Sequence, residues 1–243
     1  MNAIKILAIA VVLGVASYSW AATELIINGG FEAGLDGWTL NNIGQGSSSF
    51  MTDDADGFTP LGGLATAGPA SGSSYAVSDQ TNIGTHAISQ IFTVPADHSL
   101  DLFFDMFVNS EGGEVIDPIG LDATGSSNQH GRVDILSDGA SAFDTGAGVL
   151  QNLYIGVDSG TNPNPYTSYS FDLTTLLGDG GTFKLRFAET DNMDYLNMGI
   201  DNVSIVVSAV GQEIIPLPAA LWMGLSLLGG MGICKNLWHR TNF

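Results

Sequence analysis

Polar and apolar residues alternate with a period of two in seven short stretches between Ser73 and Val207. Because successive side chains of a strand point to opposite faces of a sheet, this alternation is typical of half-buried β-strands. Segments rich in Gly, Ser, Asn, Asp and Thr separate the stretches, with a long loop expected over residues 111–129, and only residues 173–177 suggest a short helical turn. The pattern predicts an all-β fold, namely an antiparallel β-sandwich. The predicted strands cover residues 73–77, 88–94, 100–108, 132–136, 166–171, 182–187 and 202–207.

An apolar run near the N-terminus has the features of a secretory signal. Lys5 precedes the run over residues 6–16, and Ser19 and Ala21 place small side chains at the −3 and −1 positions of a cleavage site. We therefore predict a signal peptide over residues 1–21, which signal peptidase removes. An N-terminal membrane anchor is the alternative, and the shortness of the run disfavours it.

The last apolar stretch of the chain is long enough to cross a membrane. Residues 217–234 carry no charge, and a helix of this length, at about 1.5 Å per residue, extends roughly 27 Å, close to the hydrocarbon thickness of a bilayer. Lys235 and Arg240 follow the stretch, whereas Glu213 precedes it. The positive-inside rule then predicts a single transmembrane helix in the cytoplasmic membrane, with the C-terminus inside the cell and the preceding domain outside.

A proline motif marks the start of this C-terminal segment, residues 215–243. The order of motif, apolar helix and basic end resembles the PEP-CTERM class of bacterial sorting tails, in its VPLPA variant, with Ile in place of Val. The resemblance implies that an exosortase cleaves near the motif and that the protein passes from the inner membrane to the cell surface or the extracellular polysaccharide. A plain single-pass anchor is the alternative, since the basic end is sparser than in that class. The motif residues are Ile215, Pro216, Leu217, Pro218 and Ala219.

Residues 22–210 form the predicted β-sandwich domain, which a short spacer over residues 211–214 joins to the tail. The domain opens with Asn-Gly-Gly-Phe-Glu over residues 28–32, followed by Trp38, and closes with Ile-Asp-Asn-Val-Ser-Ile over residues 200–205. Both segments resemble the first and last strands of galactose-binding-like jelly rolls, which include several carbohydrate-binding modules. The resemblance implies a jelly roll whose terminal strands lie close together, with carbohydrate binding as the class of function. Phe31 and Trp38 are expected in the core.

The same resemblance implies a structural Ca²⁺, held by Glu32 and Asp201 together with backbone carbonyls. Ca²⁺ takes about six to eight oxygen ligands, so two carboxylates, carbonyls and water suffice. Residues 22–214 hold all 25 acidic residues of the chain and only three basic ones, a formal charge of −22. Such a surface suits Ca²⁺ and repels nucleic acid, although it equally suits solubility outside the cell. The alternative is that both acids accept hydrogen bonds from turn amides.

Aromatic side chains are the candidates for carbohydrate contact. Tyr166, Tyr169 and Tyr195 are predicted to bind a glycan if they lie in a row on a sheet face, whereas burial in the core would leave a structural role in the matrix. The polar run over residues 189–195 is a candidate ligand rim or simply a loop.

Catalysis has little support in the sequence. The only cysteine, Cys234, lies in the tail, which leaves the domain without a disulfide or a thiol nucleophile. His86, His98 and His130 share no metal-ligand spacing and are expected to be solvated or locally hydrogen-bonded. We therefore predict an exported, non-enzymatic protein of the cell surface or exopolysaccharide matrix. The alternative is a surface-anchored glycoside hydrolase, which requires two facing carboxylates in a cleft, one with a raised pKa.

Overall fold

The computed structural model describes residues 22–44, 49–54, 57–116 and 120–209, so the predicted signal peptide, sorting motif and transmembrane helix lie outside the described residues. Strands account for most of the regular structure in these ranges, and no helix within them is long and apolar enough to cross a membrane. In chain order the elements are β1 (Thr23–Glu24), β2 (Thr39–Gly44), β3 (Ser49–Asp53), β4 (Tyr75–Asp79), β5 (Gly84–Val94), β6 (His98–Ser110), β7 (Gln129–Ser137), β8 (Val149–Gly156), β9 (Thr167–Asp172), α1 (Thr174–Leu177), β10 (Gly181–Asp191) and β11 (Leu196–Ala209).

The strands form two antiparallel sheets that face each other. Sheet A has the order β3-β4-β11-β6-β9, with β1 added to β11, and sheet B has the order β2-β5-β10-β7-β8. Alternate residues of β6, such as Leu102, Phe104 and Met106, are buried between the sheets. Phe104 meets Phe187 of β10 edge-to-face, with 5.2 Å between ring centroids. The predicted antiparallel β-sandwich is therefore confirmed.

The start of the domain packs onto its last strand. β1 pairs with the end of β11, where Thr23 lies opposite Val207. Phe31 and Trp38 are buried, with ring centroids 5.3 Å apart, as expected for core anchors. Only glycine fits at position 29, because a Cβ there would lie 1.8 Å from the carbonyl oxygen of Val203.

All three basic residues of the described ranges act together on the outer face of sheet B. Asp134 receives two hydrogen bonds of 2.8 Å from Arg132 and forms a second ion pair with Arg186. Arg186 also donates to the carbonyls of residues 142 and 144, and Lys184 to that of residue 140. The alternating pattern predicted a solvated face for residues 182–187, but the loop over residues 138–148 covers Arg186 completely.

The sandwich has two distinct ends, which the strand register defines. At the end that we call the tip, Asp191 pairs with Gly84 and with Gln129, and the loop over residues 80–83, the described parts of the loop after β6 (residues 111–116 and 120–128) and the turn over residues 192–195 meet. At the opposite end, the base, Gly181 pairs with Val94, and Ala209 pairs with His98. The long predicted loop after β6 thus lies at the tip, while both ends of the described sandwich lie at the base.

Candidate functional site

A depression of about 200 Å³ opens at the tip between the loop after β4 and the turn after β10. We call it the tip pocket. Its wall is mixed, because the side chains of Ile83 and Met193 are about half exposed and stand beside amide, hydroxyl and carboxylate groups. The lining residues are Gln80, Thr81, Asn82, Ile83, Asp191, Met193, Asp194 and Tyr195.

Hydrogen bonds from the turn fix the shape of this pocket. The Asp191 carboxylate accepts from the backbone amides of Met193 (3.3 Å) and Leu196 (3.1 Å) and from the side-chain amide of Gln80. Tyr195 donates its hydroxyl to Glu111 Oε1 at 2.9 Å. The aromatic ring and the carboxylate of the pocket are therefore held in place before any ligand arrives.

Burial changes the ionisation of the two acids at the end of β10. Desolvation raises the pKa of Asp191 to about 6, and the nearby Asp194 adds to the increase. Glu189, two residues earlier on the same face, is fully buried, and desolvation followed by the charge of Asp191 raises its pKa well above the ordinary value. The Ser78 hydroxyl opposes this shift. Burial thus favours the neutral form of Glu189.

Two histidines are buried, contrary to the expectation that they are solvated. His86 lies in β5 directly opposite Glu189, and its Nδ1 is 3.0 Å from Asn42 Oδ1. His130 lies in β7 with neither ring nitrogen hydrogen-bonded to a described residue. Burial lowers the pKa of each to about 4. His98 agrees with the expectation, since its ring bonds locally to the carbonyl of Ala96 at 2.8 Å.

The three predicted ligand tyrosines occupy different places and do not form a row. Tyr195 lines the tip pocket. Tyr169 stacks on Phe104 in the interior, at 4.9 Å between ring centroids. Tyr166 packs edge-to-face on Phe107 at 5.0 Å, in a small cluster on the outer face of sheet A. Only Tyr195 combines an aromatic ring with access to the tip pocket.

The two predicted calcium ligands lie on either side of one loop. Glu32 Oε1 accepts from the amides of Ser73 (2.7 Å) and Ser74 (3.0 Å). The buried Asp201 accepts from the amide of Ser71 at 2.9 Å, and desolvation raises its pKa. This is the hydrogen bonding to turn amides that formed the alternative interpretation. Within the described ranges, no group of three or more His, Cys, Asp or Glu side chains is arranged to hold a metal ion.

A second depression, of about 290 Å³, opens between β6 and β9, and the predicted ligand residue Tyr169 is among those that line it. Phe103 lies on the outer face of sheet A and is 40% exposed. Beside it the Asp105 carboxylate accepts from the Asn202 side-chain amide at 2.7 Å and from the Ser168 hydroxyl. We call this surface the outer groove. The sequence analysis missed Phe103, although an exposed aromatic residue in an alternating strand could have indicated this surface.

No protein-family model and no curated protein matches the chain. Among solved structures, TmCBM61 in complex with β-1,4-galactotriose has 11% identity and a TM-score of 0.48, with 75% of this chain and 97% of that chain covered. The Stig cyclase Fisc from Fischerella sp. TAU has 14% identity and a TM-score of 0.47, covering 78% and 99%. The enzymatically active domain of tailspike protein 4 from bacteriophage CBA120 has 10% identity and a TM-score of 0.44; 76% of this chain spans only 21% of that one. Adhesin domains of Lys-gingipain from Porphyromonas gingivalis W83 are also similar. These similar structures include binding modules and enzymes, so the similarity does not indicate which of the two classes of function this protein has.

Proposed function

We propose that this protein is an exported, non-enzymatic carbohydrate-binding module with a jelly-roll sandwich, and that the tip pocket is its binding site. The observation that carries the proposal is the composition of the pocket wall. Tyr195 offers a ring held by Glu111, while Gln80, Asn82 and Asp194 offer hydrogen-bonding groups close to it. A sugar ring presents an apolar face and a fringe of hydroxyls, and a pocket with one aromatic anchor and several polar groups complements both.

The charge of the domain selects the kind of glycan. Residues 22–214 carry a formal charge of −22. The basic side chain of Arg132 is bonded to Asp134, and those of Lys184 and Arg186 are bonded to carbonyls of the 138–148 loop. Asp191 and Asp194 add carboxylates at the pocket itself. An anionic polysaccharide would meet repulsion at every approach. The expected ligand is therefore a neutral glycan of an extracellular matrix.

Removing the aromatic anchor should abolish most of the binding. In Tyr195→Ala, affinity for a neutral oligosaccharide is expected to fall by about 1–3 kcal/mol, or roughly 5- to 150-fold, because the ring supplies most of the apolar contact. The measurement is a glycan array with full-length protein in mild detergent, followed by titration calorimetry on the glycans that bind. Phe103→Ala is the matched control, since it removes the exposed ring of the outer groove. If Phe103→Ala loses binding while Tyr195→Ala keeps it, the binding site is the outer groove and not the tip pocket.

Glycoside hydrolysis is the second candidate, and one observation favours it. Asp191 is a carboxyl group with a pKa raised to about 6 at the edge of a pocket, as a general acid requires, and Asp194 stands three residues further along the same wall. Prolonged incubation with the glycans that bind distinguishes the two functions. New reducing ends that disappear in Asp191→Asn would establish a hydrolase, whereas intact glycan would leave a binding module.

Export and anchoring are part of the same proposal, and they rest on the terminal sequences. An apolar stretch without charge over residues 217–234, preceded by the Pro216–Pro218 motif and followed by Lys235, supports insertion with the domain outside. Replacing Pro216 and Pro218 together by alanine is expected to leave the precursor in the membrane and to stop its release. Fractionation of cells and medium with an antibody to the domain measures this. Equal release of the variant and the natural protein would favour a plain anchor with unrelated proteolysis.

A structural Ca²⁺ at Glu32 and Asp201 is also proposed, with carbonyls of the 70–74 loop completing the ligand set. Both carboxylates face that loop, and in the described ranges neither forms an ion pair with a basic side chain. Saturating Ca²⁺, at about a hundred times its dissociation constant, is expected to stabilise the domain by about 2.7 kcal/mol, and Glu32→Gln should remove most of this gain. Thermal unfolding with Ca²⁺, with Mg²⁺ and with chelator is the measurement. Equal stabilisation by both ions would indicate general charge screening and no site.

A further inference from the structure

Behind the tip pocket lies a closed cluster of hydrogen-bond acceptors, which we call the acid cluster. It consists of Gln80, His86, Glu189 and Asp191. Gln80 Oε1, His86 Nε2 and both Glu189 oxygens are buried and have no hydrogen-bond partner among the described residues. His86 Nδ1 carries the ring hydrogen and donates it to Asn42 Oδ1, which leaves Nε2 as an acceptor. When Glu189 is ionised, all four atoms are therefore acceptors and none can donate a hydrogen bond. Buried acceptors without donors are costly, so the cluster favours any state that adds a proton.

No positively charged side chain of the described residues compensates the cluster. Both ion pairs of the described ranges use Asp134, on the outer face of sheet B. The other charged groups around Asp191 are acidic, namely Asp79 at the end of β4, Glu189 on its own strand and Asp194 in the turn. His86, the one basic group that faces the cluster, is held neutral by burial, which lowers its pKa to about 4. Protonation of the acids is thus the available way to remove the buried negative charge.

Asp191 connects the acid cluster to the tip pocket. It lines the pocket, yet only 4% of its surface is exposed. Its oxygens already accept hydrogen bonds from two backbone amides and from Gln80. The Asp191 carboxylate can therefore accept few further hydrogen bonds from the hydroxyls of a bound sugar. A neutral ligand above Asp191 therefore removes its remaining water without offering a countercharge, which penalises the carboxylate and favours the carboxylic acid.

We propose that the tip pocket binds a neutral glycan together with a proton, which Asp191 accepts, so that affinity falls as the pH rises. The inference rests on the proposed carbohydrate-binding function and adds its regulation. Since the free protein already holds the pKa of Asp191 near 6, the protonated fraction falls from about nine-tenths at pH 5 to about one-tenth at pH 7. If only the protonated form is competent, the dissociation constant rises by up to about tenfold over this interval.

Titration calorimetry between pH 5 and pH 8 tests this on the full-length protein, with neutral trisaccharides of β-1,4-linked galactose, glucose and xylose as probes. Affinity should fall by up to about tenfold from pH 5 to pH 7. At pH 7, buffers with different ionisation enthalpies should show uptake of up to one proton per bound trisaccharide. Asp191→Asn should bind with a flat pH profile. Asp138→Asn, the same change on an exposed residue at the base, should keep the slope of the natural protein.

The outcomes separate the two proposals. Binding that is independent of pH, without proton uptake in either buffer, overturns the coupling and leaves the binding function standing. Affinity that rises with pH also overturns the coupling. Absence of trisaccharide binding across the pH range overturns both. The comparison of buffers uses only the natural protein, so it tests whether glycan binding is coupled to proton uptake even if Asp191→Asn does not fold.

Discussion

Replacing Asp134 with asparagine is expected to lower the free energy of unfolding by about 3–5 kcal/mol, because the change leaves two guanidinium groups without their countercharge in a dry site. Asp134 and Arg186 are completely buried, and Arg132 is nearly so. Burial alone would raise the pKa of Asp134, but hydrogen bonds and charges from Arg132 and Arg186 outweigh it and hold the pKa below its ordinary value. The carboxylate is therefore ionised at pH 7.

Chemical denaturation at pH 7 measures this loss, and Asp138→Asn is the matched control. Asp138 is exposed at the start of the same loop, and its carboxylate bonds only to the next backbone amide among the described residues. The control should change stability by no more than about 0.5 kcal/mol. A loss below about 1 kcal/mol in Asp134→Asn would show that water reaches the cluster and that the 138–148 loop does not seal it.

The second large effect is a stabilisation that depends on pH. The folded domain keeps the proton of Glu189 above the ordinary pKa of 4.5, whereas the unfolded chain releases it. The folded state then binds more protons, so stability falls by up to about 1.4 kcal/mol per pH unit as the pH rises from about 4.5 towards the raised pKa. Glu189→Gln has no proton to retain. It should match the natural protein near pH 4.5 and exceed it progressively as the pH rises towards the raised pKa.

Glu114→Gln, which makes the same change at an exposed position, should give no such difference between pH values. The contribution of His86 and His130 has the opposite sign, because their lowered pKa values make the folded state bind fewer protons between about pH 4 and 6.5. Both histidines are present in each protein, and protonated Glu189 and glutamine are both neutral, so their contribution cancels in the comparison below the raised pKa of Glu189. A stability difference that stays constant from pH 4.5 to 8 would mean that Glu189 is ionised in the folded domain.

The sequence predicted the architecture of the sandwich because its strongest strands are periodic. In β6 the apolar residues Leu102, Phe104 and Met106 occupy one face, which is the core, and Asp101, Phe103 and Asp105 alternate with them on the other face. The short helix and the long loop after β6 also lie where the pattern indicated. Four strands escaped prediction. β1 has only two residues and pairs with β11 alone. β2 and β8 are edge strands of sheet B and β3 is an edge strand of sheet A, so each has one neighbour and little reason to be apolar.

The candidate site could be predicted only in part. Tyr195 and the candidate rim over residues 189–195 contribute to the tip pocket, but burial at the tip comes from loops and not from periodicity. A polar residue at every second position normally indicates a solvent-facing row, and Arg186 and Asp134 follow that pattern although the 138–148 loop covers them. Glu189 looked like part of an exposed rim, yet β10 continues to Asp191 and places Glu189 between the sheets. The tip pocket likewise requires the register that brings residues 80–83 beside residues 192–195.

The position of the two ends of the sandwich also determines how it would bear a pulling force. β11 runs from the tip pocket to the base, and it pairs with β6 from Leu196–Ser110 to Ala209–His98. A glycan held at Tyr195, directly before β11, and a tether at Ala209 would pull on the two ends of this one strand. The strand is already extended, so the tension passes along its covalent backbone, and the hydrogen bonds to β6, which lie across the strand direction, need not break. Single-molecule extension from these two points should therefore lengthen the domain far less than pulling on β1, whose short pairing with β11 can be peeled away.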